Sequence, residues 1–252
     1  MASYLVTGSS RGIGLAIVTV LLSKPATEVS KVFASARTET DNLKQLIAGS
    51  EGRVEWVPLE VTSHESAKQA ASKVSDSLGG KGLDVLINNA GVGSKAMTRV
   101  EEMADIEDAF KVNVAGVHMI TSTFLPLLRK GSLKKIINIS TTLGSMSLAP
   151  NFTWGQAPAY KISKAALNML TVQYALDLQE ESFTVVAVSP GWNKTELVNS
   201  VGDLMPEEGA KATLDIVFRV TTTDNGKFYN VHVPGWENVP GPNKYRGEII
   251  PW

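Results

Sequence analysis

The chain has 252 residues, a length that alternating strands and helices commonly fold into one domain with one core. Its 24 Lys and Arg residues nearly balance 25 Asp and Glu residues, which argues against nucleic acid or a membrane surface as partner and favours a small molecule. The absence of cysteine excludes a disulfide framework and a thiolate nucleophile, and with only three histidines we expect no metal site.

The sequence predicts neither a signal peptide nor a membrane span. A strand pattern begins by Tyr4, before a secretory signal could be completed, and no apolar run approaches the roughly 18 residues needed to cross a bilayer. We therefore expect a cytoplasmic protein.

Short apolar runs, separated by longer stretches of helical period, predict buried parallel strands joined by helices. This alternation is typical of an α/β fold, here a single-domain Rossmann-type doubly wound parallel sheet of about seven strands with helices on both faces. The predicted strands are Tyr4–Thr7, Val32–Ala36, Val54–Pro58, Val85–Asn88, Lys135–Ser140, Thr184–Ser189 and Lys227–His232. The predicted crossover helices are Gly14–Ser23, Ser63–Leu78, Val100–Arg129, Ala159–Gln179 and Pro206–Arg219.

One domain is expected to cover residues 1–252. Residues 1–95 are expected mainly to bind a cofactor, and residues 96–233 to carry the catalytic groups and the substrate. Residues 234–252 contain several prolines and glycines, which predict an irregular tail rather than another helix. Three aromatic residues in this tail indicate that it packs against its own domain or a second subunit.

A glycine-rich turn, TGSSRGIG, follows the first strand and opens a helix at Thr7–Gly14. Gly8 allows the tight turn, Gly12 lets the backbone approach a pyrophosphate, and Gly14 permits close helix packing. Strand, turn and helix N-terminus together favour a dinucleotide site. The residues expected to contact the cofactor here are Gly8, Ser10, Arg11, Gly12, Ile13 and Gly14.

The second strand ends in Arg37 and Thr38, where a site for NAD would carry an acidic side chain. A guanidinium suits a ribose 2′-phosphate, and Arg11 can reach the same phosphate, so we expect NADPH or NADP⁺ as cofactor. Glu60 and Val61 end the third strand, where the carboxylate is expected to receive the adenine amino group and Val61 to contribute its backbone.

Two further motifs follow at a characteristic spacing: NNAG at Asn88–Gly91 and YKISK at Tyr160–Lys164. With the glycine turn, they resemble the short-chain dehydrogenase/reductase family over residues 4 to about 232. The PGW after the sixth strand and the closing PW are most similar to its carbonyl-reductase branch, which includes sniffer-like and fungal polyketide ketoreductases. The resemblance implies that Asn89, Ala90 and Gly91 contact the cofactor.

Tyr160 and Lys164 lie four residues apart, so on a helix they project from the same face. A phenol is ordinarily protonated at neutral pH, with a pKa of about 10. A nearby ammonium and the oxidised nicotinamide are expected to favour the tyrosinate and bring the group closer to the range useful for acid and base catalysis. The resemblance implies that Tyr160 donates the proton during carbonyl reduction and that Lys164 also holds the cofactor ribose.

The family uses a hydroxyl after the fifth strand, in a pattern resembling N-x-S-S-x-x-G, to hold the substrate oxygen. This chain departs from it with NISTTLG, Asn138–Gly144. Counting back from Gly144 selects Thr141, Ser140 is the nearest serine, and counting back from the catalytic tyrosine selects Ser147. All three stay candidates, because a threonine hydroxyl donates the same hydrogen bond as a serine.

The resemblance assigns further roles. It implies that Asn113 bends its helix and holds a water molecule that links the catalytic lysine to solvent. It also places Pro190 and Gly191 beside the nicotinamide, with the Asn193 backbone and the Thr195 hydroxyl as candidates for the carboxamide and pyrophosphate.

The substrate of such a fold binds at the carboxyl ends of the strands. Met146, Phe152, Trp154 and Trp192 follow the fifth and sixth strands and are expected to line a hydrophobic slot for an aromatic or polycyclic carbonyl compound. The short segment Thr195–Pro206 favours an open pocket.

The sequence thus predicts an NADPH-dependent reductase of ketones or aldehydes. The alternative is a non-catalytic NADP-sensing protein that keeps the fold without turnover. The family resemblance also predicts a homodimer or homotetramer, formed through Val100–Arg129 and Ala159–Gln179.

Overall fold

The computed structural model describes residues 1–94 and 98–252, and its centre is one sheet of seven parallel strands. All seven predicted strands are present. The observed strands are β1 Ala2–Thr7, β2 Val29–Ala36, β3 Val54–Pro58, β4 Val85–Asn88, β5 Lys135–Ile139, β6 Thr184–Ser189 and β7 Phe228–Asn230. The expected division between residues 95 and 96 lies outside the described residues.

The spatial order of the strands is β3-β2-β1-β4-β5-β6-β7. The chain therefore winds outward from β1 in one direction and, after crossing back to β4, in the other. Ligands of doubly wound sheets bind where the order reverses, outside the carboxyl ends of the strands. This rule places the site of this chain at the ends of β1 and β4.

Seven α-helices connect the strands within the described residues: α1 Gly12–Leu22, α2 Asp41–Ala48, α3 His64–Leu78, α4 Ile106–Phe110, α5 Val117–Arg129, α6 Pro158–Asp177 and α7 Pro206–Arg219. The predicted helix Val100–Arg129 is wrong as one element, because α4 begins only at Ile106 and a π-helical turn, Lys111–Gly116, separates it from α5. No helix of the described ranges is long and apolar enough to span a membrane.

Alternate residues of each strand supply the two layers of the core. On β1, Tyr4 and Val6 face one side with α1 and α7, whereas Leu5 faces the other with α3 and α5. All three side chains are nearly inaccessible to solvent. Burial on both faces explains why the strands read as continuous apolar runs in the sequence.

Residues 234–252 pack against their own domain. The tail runs antiparallel to β7, with backbone hydrogen bonds from Ile250 N to Phe228 O (2.7 Å) and from Asn230 N to Glu248 O (2.9 Å). The Trp252 ring stacks on Phe228 with centroids 5.3 Å apart. The tail therefore covers the outer edge of β7, which would otherwise present unpaired backbone groups.

Candidate active site

The turn between β1 and α1 has the geometry that its glycines predict. Gly8 has φ +71°, a conformation that side-chain-bearing residues rarely adopt. A Cβ atom on Gly14 would lie 2.2 Å from Gly8 O and 2.5 Å from Asn89 Nδ2, so the helix reaches the turn only without a side chain there. Asn89 in turn donates a hydrogen bond of 2.8 Å to Thr7 O. The NNAG motif thus holds the glycine turn in place.

Buried amides tie the strand ends beneath the site. Asn88 and Asn138 are register partners on β4 and β5, and Asn88 Nδ2 donates to Asn138 Oδ1 at 2.9 Å. Asn138 Nδ2 continues the chain to Thr171 Oγ1 on α6 at 2.9 Å. A buried amide without a hydrogen-bond partner costs free energy, so these bonds hold α6 against the carboxyl ends of β4 and β5.

Helix α6 carries Tyr160 and Lys164, and both side chains line one cleft of about 410 Å³. Pro158 occupies the first turn of this helix, where its missing N–H costs nothing. Lys164 Nζ lies 5.8 Å from the centroid of the Tyr160 ring and donates to Ile139 O at 2.7 Å. The carbonyl at the end of β5 thereby orients the ammonium within the cleft.

Burial changes the acidity of both groups. It raises the pKa of Tyr160 to about 12 and lowers the pKa of Lys164 to about 8. The pKa of Tyr160 is thus raised, whereas we expected the neighbouring ammonium to favour the tyrosinate. The reason is that removal from water disfavours the charged form of both groups, the phenolate and the ammonium. The chain's own residues therefore keep Tyr160 protonated at neutral pH, the state that a proton donor needs.

Asn113 lies in the π-helical turn between α4 and α5 and is fully buried. Its amide donates to Val92 O at 2.9 Å and to Ser163 Oγ at 3.0 Å, while its oxygen accepts from Val92 N at 2.9 Å. The side chain thus joins the segment after β4 to α6. A Cβ on Gly91 would lie 3.1 Å from Asn113 Oδ1.

The three candidate hydroxyls occupy different surroundings. Ser140 Oγ is buried and donates to Asn168 Oδ1 at 2.6 Å. Ser147 Oγ donates to Trp252 O at 2.8 Å, and Ser147 is not among the described residues that line the cleft. Thr141 lines the cleft, and its hydroxyl accepts a hydrogen bond from Leu143 N at 3.3 Å but donates none among the described residues. Its proton is therefore available to a ligand.

Most of the residues expected near the nicotinamide line the cleft, whereas those expected nearer the adenosine do not. Those lining it are Ile13, Asn89, Gly91, Ser140, Thr141, Tyr160, Lys164, Pro190, Gly191, Asn193 and Thr195. The other residues expected to bind the cofactor follow the carboxyl ends of β1 to β4 but lie outside this cleft: Gly8, Ser10, Arg11, Gly12, Gly14, Arg37, Thr38, Glu60, Val61 and Ala90.

Both arginines expected at the adenosine end are exposed and ion-paired. Arg37 Nη1 lies 3.7 Å from Glu60 Oε2, and Arg11 Nη1 lies 3.0 Å from Glu196 Oε2. Glu60 Oε1 also accepts hydrogen bonds from the backbone and hydroxyl of Thr62. Exposed pairs of this kind are weak, so each guanidinium can exchange its carboxylate for a phosphate.

Only two of the four residues predicted to bind substrate line the cleft. Trp154 and Trp192 do, with ring centroids 5.5 Å apart. Met146 is not among the lining residues and is 70% exposed. Phe152 is buried beneath Trp154, with ring centroids 6.4 Å apart. The sequence showed that these residues follow a strand, but it did not show whether each side chain points into the cleft or away from it.

The tail contributes residues that the sequence analysis missed. Tyr245 and Asn243 line the cleft, and Tyr245 Oη accepts a hydrogen bond of 3.1 Å from the backbone of Trp192. Tyr245 Oη donates in turn to Asp203 Oδ2 at 2.6 Å. The aromatic residues of the tail indicated that it packs against the domain. Because the tail is far in sequence from the motifs, nothing indicated that it contributes to the site.

A doubly wound sheet with a glycine turn after its first strand defines a dinucleotide-binding fold, and here Tyr160 and Lys164 line the cleft at the carboxyl ends of its strands. The family model for short chain dehydrogenases matches residues 3–205. The short-chain dehydrogenase/reductase AacuF of Aspergillus aculeatus is 36% identical over 218 residues, 83% of this chain and 78% of that protein. The chain belongs to the short-chain dehydrogenase family.

Solved structures agree with this assignment. The NADPH-bound carbonyl reductase from chicken fatty liver matches with a TM-score of 0.86 and 32% identity, covering 100% of this chain and 99% of that one. The carbonyl reductase Sniffer of D. melanogaster matches with a TM-score of 0.85 and 25% identity, covering 100% of each chain. The structural neighbours of this oxidoreductase thus include carbonyl reductases.

Proposed function

We propose that this chain reduces a ketone or aldehyde to an alcohol with NADPH. The observation that carries the proposal is that Tyr160, Lys164 and the Thr141 hydroxyl line one cleft at the point where the strand order reverses. A carbonyl oxygen placed there can receive a proton from Tyr160 and a hydrogen bond from Thr141.

The residues present fit a dinucleotide. The positive φ of Gly8 and the absence of side chains at Gly12 and Gly91 leave a cradle that Cβ atoms would narrow. Bound NADPH supplies a hydride to the carbonyl carbon. The chain's part is to orient the carbonyl through Thr141, to deliver the proton from Tyr160 and to hold positive charge at Lys164.

Support for NADPH over NADH comes from Arg37 and Arg11, since a guanidinium binds a 2′-phosphate by paired hydrogen bonds. The chicken carbonyl reductase, which covers the whole chain, is described as NADPH-bound. The aromatic pair Trp154 and Trp192 at the cleft supports an aromatic or polycyclic carbonyl compound as substrate.

The test is NADPH oxidation by the purified protein with a panel of aliphatic, aromatic and dicarbonyl compounds. We expect turnover of at least one aromatic ketone or diketone and a lower rate with NADH. Calorimetry with NADP⁺ is run in parallel. Tight NADP⁺ binding without turnover of any carbonyl would favour the non-catalytic NADP-sensing alternative.

We also propose a homodimer or homotetramer. Helix α6 exposes Ile162, Met169 and Leu176, whose spacing of seven residues places them on one helix face. An exposed apolar stripe of this kind suits a subunit contact. Light scattering at micromolar concentration tests this, and a mass near the 27.0 kDa of one chain would contradict it.

A further inference from the structure

A second cavity of about 330 Å³ adjoins the active-site cleft. It shares Trp154, Trp192 and Asn243 with the cleft that holds Tyr160. Its other walls are Trp236, Asp203 and the segment Pro240–Pro242. Because the two cavities have walls in common, they lie next to each other at the two shared tryptophans.

Three aromatic rings, those of Trp154, Trp192 and Trp236, line this cavity. Trp154 and Trp192 pack against each other, and Trp236 packs against Tyr245 with ring centroids 5.6 Å apart. Trp236 is partly buried against the core, and Trp154 is 50% exposed. Three of the five tryptophans of the chain line this one cavity, a concentration that favours a flat aromatic ligand over an aliphatic one.

Asp203 adds a negative charge to the aromatic walls. Its Oδ2 accepts hydrogen bonds from Tyr245 Oη at 2.6 Å and from Asn243 Nδ2 at 2.8 Å. The ion pairs among the described residues do not include Asp203, and its Oδ1 accepts no hydrogen bond within that part of the chain. The carboxylate can therefore accept a hydrogen bond from a ligand and repels an anionic one.

We propose that this second cavity is an outer substrate subsite for an aromatic ring that bears a hydroxyl group. The ring lies between the Trp154–Trp192 pair and Trp236, and its hydroxyl donates to Asp203. The inference rests on the proposed carbonyl reduction and narrows its substrate to an extended aryl ketone with a remote phenol. The C-terminal tail, which carries Trp236, thereby acts in substrate selection.

Four aryl methyl ketones, each with a single acetyl group, test the subsite: acetophenone, 4-acetylbiphenyl, 4-acetyl-4′-hydroxybiphenyl and 4′-acetylbiphenyl-4-carboxylate. The second ring should raise kcat/KM about 10-fold over acetophenone, because it buries apolar surface in the outer cavity. The hydroxyl should raise it further, by about 3- to 10-fold. The carboxylate should cancel this gain, because it faces Asp203.

Substitutions locate the effect. Trp236→Leu should lower kcat/KM for the hydroxybiphenyl ketone about 5- to 10-fold and leave acetophenone unchanged. Asp203→Asn should remove the discrimination between the hydroxyl and the carboxylate. Trp56→Leu serves as the matched control, because Trp56 lies on β3 outside both cavities. It should leave kcat/KM unchanged for both ketones.

Calorimetry with 4-phenylphenol, which has no carbonyl, separates the subsite from the proposed reaction. Binding that weakens about 5- to 10-fold in Trp236→Leu but not in Trp56→Leu supports the subsite even if no ketone is reduced. Equal binding to both variants, or equal kcat/KM for acetophenone and both uncharged biphenyl ketones, would overturn it. Turnover of acetophenone with such results would leave the proposed reaction intact.

Discussion

The Ser140 hydroxyl donates a hydrogen bond of 2.6 Å to Asn168 Oδ1 on α6. Asn168 Nδ2 donates in turn to Gly144 O at 3.0 Å, so the amide joins both ends of the loop after β5. Ser140 is thereby committed to holding this loop, although it borders the cleft. Of the two adjacent hydroxyls, Thr141 is the one whose proton is available to a substrate oxygen.

Thr141→Val should therefore lower turnover by roughly 10²- to 10³-fold, as for the loss of other preorganised oxyanion donors. The variant keeps the shape of the side chain, so NADPH binding should not change. Ser140→Ala should instead reduce the free energy of unfolding by about 1 to 3 kcal/mol, because the buried Asn168 oxygen loses its donor. A larger loss of turnover in Ser140→Ala than in Thr141→Val at equal stability would reverse the assignment.

The exposed position of Arg37 makes cofactor choice testable. Arg37→Ala should weaken NADPH binding about 10- to 100-fold and barely affect NADH, because only NADPH carries the 2′-phosphate. Arg129→Ala is the control, since Arg129 is also exposed and ion-paired, to Glu181 at 2.7 Å, but it ends α5 ahead of the start of β5 and so lies away from the carboxyl ends of the strands. Fluorescence titration with both cofactors measures the effect, and equal wild-type affinities for them would contradict the role of Arg37.

Gly14 tests the contact between α1 and the turn. Gly14→Ala places a methyl group 2.2 Å from Gly8 O, so the turn must move, at a cost of about 1 to 3 kcal/mol in unfolding free energy and with loss of NADPH binding. Gly49→Ala is the matched control, because Gly49 has φ −81° and its Cβ would be 3.6 Å from the nearest atom. Chemical denaturation and NADPH titration should leave that control close to wild type.

The pKa of Lys164 predicts a limb in the pH profile. Burial lowers this pKa to about 8, so the ammonium loses its proton as the pH rises through that value, whereas Tyr160, with a pKa of about 12, stays protonated. We expect kcat/KM for reduction to fall above about pH 8. Circular dichroism at each pH checks that the chain stays folded, and a rate that stays constant to about pH 10 would contradict the expectation.

The fold was predictable because burial on both sheet faces makes each strand a short apolar run, and all seven strands are present. Helix α2 was absent from the predicted elements because it spans only eight residues, too few for its helical period to stand out, although Leu43, Leu46 and Ile47 pack on the core. The apolar pattern did not reveal the break before α5, since the π-helical turn depends on the contacts of Asn113 across the fold, and only the family resemblance implied that Asn113 bends its helix.

At the site, the motifs predicted the positions that depend on local spacing, such as Gly14 at the start of α1 and the pair Tyr160 and Lys164 on one face of α6. Side chains on loops were less predictable, because the direction of a loop residue follows from its tertiary contacts. Met146 therefore turned out exposed and Phe152 buried beneath the cleft. The contacts of the tail with the cleft join residues distant in sequence, and no local pattern encodes them.

The most direct test of the proposed reaction is the single-turnover rate of NADPH oxidation by Tyr160→Phe, measured with a ketone that the wild type reduces. The substitution removes only the hydroxyl, so NADPH should bind as before while the rate falls by about 10²- to 10⁴-fold, the effect of losing a general acid. Tyr174→Phe, at the other tyrosine of α6 and outside the cleft, is the control and should retain the wild-type rate. A Tyr160→Phe variant that binds NADPH and reduces the ketone at the wild-type rate would contradict the account.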